Sequence, residues 1–166
     1  LLPVFIVSRI KSEVTIFGKK IMQPRLVAFY GNENVSYKYS GQVMQALPWS
    51  AALLKIKSRI LQELNLDFNS CLINYYRNGR DSMGWHQDNE KELGKNPIIA
   101  SVTFGEARPF QLKHISNKKL KKVDIPLSNG SLLIMAGETQ HHWKHQIPKT
   151  TKQIGERINL TFRTII

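Results

Sequence analysis

The segment Arg157-Ile-Asn-Leu-Thr-Phe-Arg163 alternates polar and apolar residues without a break. Successive side chains of a β-strand point to opposite faces, so Arg157, Asn159, Thr161 and Arg163 share one face and Ile158, Leu160 and Phe162 the other. A chain containing this strand needs an apolar layer on one side. On the other side, two inward guanidiniums are costly without anions, and two arginines with an amide and a hydroxyl between them suit a dicarboxylate. The alternative is a wet surface strand, which asks for no ligand.

Most of the remaining sequence also reads as short strands. Val14–Phe17 and Ile21–Met22 flank Gly18, Lys19 and Lys20 as a hairpin with an aromatic at its tip, and Arg25–Tyr30 with Val35–Tyr39 form a second hairpin or meander around Gly31–Asn34. Cys71–Tyr76, Ile98–Phe104, Arg108–His114, Val123–Leu127 and Ser131–Met135 continue the pattern. One helix is expected over Trp49–Leu64, opened by Pro48, with Leu53, Leu54, Ile60, Leu61 and Leu64 at helical spacing and a sheet beneath them. Many short strands with Gly, Pro and Asn turns predict a mainly β chain with a flanking helix, a sandwich or jelly roll. A length of 166 residues suits one domain, residues 1–166.

His86 and Asp88 are two positions apart. On a strand both would reach one metal ion, and a further histidine would complete the two-His-one-carboxylate set that leaves positions open on non-haem Fe(II). The plainer reading is a solvated turn. His114, His141, His142 and His145 are the remaining candidates for the third donor. His141 and His145 have the spacing of a helical zinc pair, but no Glu follows His141, and Gly137 and Pro148 bracket the segment, which argues against a zinc protease. The same parity places Asn74 and Tyr76 on one face of the strand leading to His86. Trp85 should point away from His86 and pack.

The formal charge is +12, from 24 basic and 12 acidic residues. The surplus lies at the two ends, and the N-terminal third together with the loop Lys118, Lys119, Lys121 and Lys122 fits a nucleic-acid-binding face. A merely basic surface is the other reading. With Cys71 as its one cysteine, the chain can form no internal disulfide and suits a reducing compartment: cytoplasm in a bacterium, nucleus in a eukaryote. No run has the length of a membrane span, and Leu1–Val7 lacks the flanks of a secretory leader. The chain opens on Leu1 rather than Met, which leaves room for a preceding segment.

Taken together, His86-Gln-Asp88, Trp143-Lys-His145-Gln-Ile-Pro148 and Arg157–Arg163 resemble the AlkB family of Fe(II)- and 2-oxoglutarate-dependent dioxygenases, in order and over about Phe17–Ile165. The resemblance implies a double-stranded β-helix, the cupin-like jelly roll. It implies His86, Asp88 and His145 as iron ligands, with Asn74, Tyr76, Arg157, Asn159, Thr161 and Arg163 around 2-oxoglutarate: Arg157 on its distal carboxylate, Arg163 on the one that chelates iron. With O2, the implied reaction is oxidative demethylation of N-alkylated bases such as 1-methyladenine and 3-methylcytosine, releasing succinate, CO2 and formaldehyde. A flipped base in double-stranded DNA is the implied substrate, bound by a monomer; single-stranded DNA, RNA or a protein side chain are alternatives, as is a non-catalytic nucleic-acid-binding protein on the same fold. The resemblance also assigns residues 1–45 to nucleotide-recognition hairpins, Phe17 and Gly18 to a duplex-opening tip, and Tyr37 and Tyr39 to a substrate lid. Glu90 matches an acid on the base edge, although Asn89–Leu93 also reads as a charged turn.

Overall fold

The computed structural model describes residues 13–16, 19–39 and 42–166. The first strands are β1 (Glu13–Ile16), β2 (Lys19–Met22), β3 (Leu26–Gly31), β4 (Ser36–Tyr39), β5 (Gln42–Gln45) and β6 (Leu47–Pro48), followed by helix α1 (Ala51–Leu64). Then come β7 (Ser70–Tyr76), β8 (Met83–His86), β9 (Ile99–Gly105), β10 (Arg108–His114), β11 (Val123–Leu127) and β12 (Leu132–Met135). A short helix α2 (Thr139–His142), β13 (Trp143–Ile147) and β14 (Arg157–Arg163) complete the order.

Two sheets form the body, a six-stranded one ordered β12-β9-β14-β7-β3-β6 and a four-stranded one ordered β11-β10-β13-β8. Strand β14 is central to the larger sheet, antiparallel to both β7 and β9. Its apolar face behaves as its alternation requires. Leu160 and Phe162 are fully buried with Leu53 and Ile60 of α1 and with Ile73, Cys71 and Val102 of the neighbouring strands. Each large apolar side chain so buried contributes about 1.5–3 kcal/mol. On the opposite face Tyr76, Ile99 and Met135 of the larger sheet meet Phe110, Leu127 and Ile147 of the smaller one. The result is the expected jelly roll: two facing sheets with α1 on the outside.

Three expectations change. The helix begins after Ser50, not at Trp49, because the Ser50 hydroxyl accepts from the Leu53 N–H (3.3 Å) and caps it; Leu47 and Pro48 instead pair with β3. At its other end Asn65 adopts the left-handed conformation (φ 53°) and donates to the Leu61 carbonyl. The second hairpin does not form between β3 and β4, since β3 joins β7 and β4 pairs with β5. The turn at Asn32–Asn34 is present, but it hands the chain from one sheet to another. Finally, Trp143–Ile147, absent from the expected strands, forms β13. None of the described helices is long and apolar enough to cross a membrane.

Candidate metal centre

Strands β8 and β13 are antiparallel neighbours, with His86 paired directly to His145. The next pair is Met83 with Ile147, so Gly84 and Trp85 oppose Gln146 alone, and this bulge turns the end of β8. His86, Asp88 and His145 meet there, with one ligand atom of each within 4.8 Å of the others. Asp88 and His145 are buried and His86 is half-buried. The His86 and His145 rings are 4.2 Å apart, and Phe110 stacks on His145 at 5.0 Å. His86 Nδ1 lies 2.8 Å from the Gly84 carbonyl. A carbonyl can only accept, so Nδ1 carries the proton and the Nε2 lone pair is free toward Asp88, 3.5 Å away.

The protonation states suit cation binding. Burial alone would raise the Asp88 pKa, but the charge of Arg163, whose Nη2 donates to Asp88 Oδ2 at 2.7 Å, outweighs it and keeps the carboxyl well below the usual range. Burial, and after it the neighbouring His86, push the His145 pKa down to about 3, so this imidazole is neutral at ordinary pH. Two imidazoles and one ionised carboxylate form the donor set that holds Fe(II) with positions left open.

A pH effect follows. Because the folded His145 pKa lies below its unfolded value, unfolded chains bind a proton that folded chains do not, and metal-free protein loses stability as pH falls from about 6.5 toward 3. Asp88 adds little between pH 7 and 5, since its stabilisation is lost progressively below about pH 5. From pH 7 to 5 the loss is roughly 2 kcal/mol at about 1.4 kcal/mol per unit. Denaturant midpoints of wild type and His145→Ala at the two pH values check it: the variant should lack this component, and an identical pH difference in both would refute the assignment.

Beside the three donors a cavity of about 40 Å³ is lined by Leu72, Asn74, Tyr76, Phe110, Thr161 and Arg163, among others. The Asn74 carbonyl oxygen accepts from Arg25 Nε (2.6 Å), so its amide N–H groups remain for the cavity. Asn159 lines the same wall but donates its amide to Ser101 Oγ (2.8 Å) and the Val102 carbonyl (3.0 Å), bracing β14 against β9. Arg157 stands apart from the cavity wall. Its guanidinium lies 5.2 Å from the Tyr76 ring centre and donates to Thr103 Oγ1 (3.0 Å), while Nε and Nη1 are buried with no hydrogen-bond partner. Those orphaned donors fit a carboxylate that the protein itself does not supply.

On the expected substrate side, Tyr37 is fully buried against Phe29, with its ring 5.6 Å from the Arg163 guanidinium and its hydroxyl 3.5 Å from Arg163 Nη1. It supports that arginine and is not an exposed lid residue. Glu90 reaches toward Tyr37 and Arg163 and has one buried oxygen without a partner, so it is not a solvated turn. Tyr39 ends β4, and Phe17 and Gly18 lie outside the described residues. Trp85 turns away from the donors and packs under Lys113 Nζ at 4.3 Å. Of the other histidines, His141 faces Asn96, and His142 stacks on His114 and faces Glu138.

Sequence reasoning missed Arg25, Arg108 and Gln140, all buried. Arg108 donates to the Asp81 (3.1 Å) and Pro148 (2.6 Å) carbonyls, joining two loops behind Tyr76. The only available signal was an arginine at a strand boundary.

Comparison with known proteins agrees with this geometry. The chain is 44% identical over 151 residues to "Alpha-ketoglutarate-dependent dioxygenase alkB homolog 3" of Bos taurus, which covers 86% of this chain and 52% of that protein. It is 37% identical over 161 residues to "DNA oxidative demethylase ALKBH2" of Homo sapiens, covering 93% and 62%. The chain thus spans about half to three-fifths of the length of these two relatives. Among solved structures, that of OsALKBH1 superposes with a TM-score of 0.64 at 19% identity, covering 85% of this chain and 78% of that one, and so shares its fold. Residues 10–163 match the description 2OG-Fe(II) oxygenase superfamily, and with a His-Asp-His cluster inside a jelly roll, the chain belongs to that superfamily.

Proposed function

We propose that this chain is the catalytic unit of an Fe(II)- and 2-oxoglutarate-dependent dioxygenase that demethylates N-alkylated DNA bases of the 1-methyladenine and 3-methylcytosine kind. The observation that carries this reading is the convergence of His86, Asp88 and His145 beside a cavity whose wall includes Asn74, Thr161 and Arg163. Bound iron would supply the oxidising chemistry, using O2 and 2-oxoglutarate and releasing succinate, CO2 and formaldehyde.

The residues do the positioning. Arg163 keeps Asp88 ionised, so that it serves as a ligand and not as an acid. His86 offers Nε2 because Gly84 holds its other nitrogen. Arg157, with two buried donors unused, would take the distal carboxylate of the co-substrate. Leu72, Met83, Phe110, Met135 and Ile147 give the cavity an apolar lining that keeps water from the reacting groups. Relatives bearing the name DNA oxidative demethylase and the net charge of +12 support a polyanionic substrate.

A base inside a duplex must leave the stack to reach a buried metal. Phe17 and Gly18, joining β1 to β2 with Lys19 and Lys20 following, would supply an apolar wedge and phosphate contacts, and Tyr39 and Glu90 would meet the base. The test is incubation with Fe(II), ascorbate, 2-oxoglutarate and methylated oligonucleotides, with the products weighed. Loss of the methyl group from DNA, with succinate formed, is expected. Turnover confined to RNA or protein would move the substrate class, and binding without succinate would sink the enzyme reading. Phe17→Ala should weaken repair in duplex DNA at least several-fold more than in a single strand, and equal losses would remove the wedge.

A further inference from the structure

The carboxylate of the metal cluster stands on backbone that no strand ladder holds, because β8 ends at His86 and Asp88 lies two residues beyond. What holds it is Gln140. The Asp88 N–H donates to Gln140 Oε1 at 2.9 Å, and the Gln87 side-chain amide donates to the Gln140 carbonyl at 2.7 Å. Gln140 is 1% exposed, and its amide nitrogen faces Met135 Sδ at 3.5 Å, a weak acceptor. An apolar side chain of the same length would fill this space without desolvating an amide, so the packing alone does not ask for glutamine. Gln140 sits in α2, which runs directly into β13, the strand of His145.

We propose that Gln140 is a positioning residue for the metal carboxylate, tying Asp88 to the segment that carries His145. This rests on the reading of His86, Asp88 and His145 as metal ligands. Arg163 fixes the carboxylate at its oxygen, and Gln140 fixes the backbone beneath it. With both ends held, donors on different strands have a set separation before any ion arrives, and little ordering remains to be done on binding.

The experiment is calorimetric titration of Co(II), an air-stable probe, into the metal-free full chain. Gln140→Met keeps the length and the contact with Met135 but removes the acceptor. It should weaken Co(II) binding about 10- to 100-fold while shifting the metal-free melting temperature by only a few degrees. Amide exchange of metal-free wild type gives a second measurement that needs no variant: the Asp88 N–H should exchange as slowly as the amides of β7. Co(II) bound at native strength by Gln140→Met, or a fast-exchanging Asp88 amide, overturns the proposal alone. Wild-type protein that takes up no Co(II) overturns the metal assignment and the proposal with it. Should Gln140→Met fail to fold, the exchange rate in wild type decides.

Discussion

Asp88→Ala is expected to lose metal binding and, separately, to destabilise the metal-free protein by about 3–5 kcal/mol. The second effect comes from Arg163. Its guanidinium is buried, and Asp88 supplies its closest anionic partner at 2.7 Å. Removing the carboxylate leaves that charge buried, with only Glu90 and the Tyr37 hydroxyl nearby, which places the loss toward the lower end of the range. His145→Ala should also abolish metal binding and iron-dependent turnover, but it strands no charge and opens only the space under Phe110. Equilibrium denaturation of the two metal-free variants separates the effects. Equal stability of Asp88→Ala and His145→Ala would mean that the Arg163 ion pair contributes nothing.

Arg157 should behave in the opposite way. Its charge is disfavoured by burial and by the like charge of Arg108, against the favourable influence of Tyr76, and two of its donors have no partner. Arg157→Met therefore removes a group that costs the metal-free fold stability, and that variant should be as stable as wild type or more so. The same change should weaken apparent affinity for 2-oxoglutarate by about 2–5 kcal/mol, roughly 30-fold or more. Arg157→Lys keeps the charge but loses the planar fork, and should raise the 2-oxoglutarate requirement about tenfold. Turnover measured against 2-oxoglutarate concentration, beside a melting curve, gives both numbers. An unchanged requirement in either variant removes Arg157 from the co-substrate site.

How much of this was legible in the sequence depended on whether a residue's role is set by its own strand or by another part of the chain. The two faces of β14 could be read directly, because a period of two forces Arg157, Asn159, Thr161 and Arg163 together whatever surrounds them. The pairing of His86 with Asp88 was readable by the same logic, although Asp88 lies past the strand and its backbone is held by Gln140 instead. His145 could not be singled out from its neighbours by spacing alone; the register of β13 on β8 brings it to His86 and leaves His141 and His142 outside. Tyr37 was misjudged because alternation within β4 does not tell which face looks inward. Arg25 and Arg108 donate to oxygens from distant segments, and no local pattern reports that. The helix start was missed by two residues since Pro48 suits a first turn equally well, and the Ser50 cap decided it.

The two-faced strand at the centre of the larger sheet has a consequence for how the protein can fail. A one-residue slip of β14 would carry Leu160 and Phe162 into the cavity and drive both arginines against the underside of α1. Packing and chemistry would be lost in the same event, so a mispaired chain has no apolar core to settle into and cannot persist as a well-folded but inactive species. Insertions and deletions within Arg157–Arg163 are therefore filtered at the folding step, and the spacing between the arginines is kept by the same force that holds the helix to the sheet.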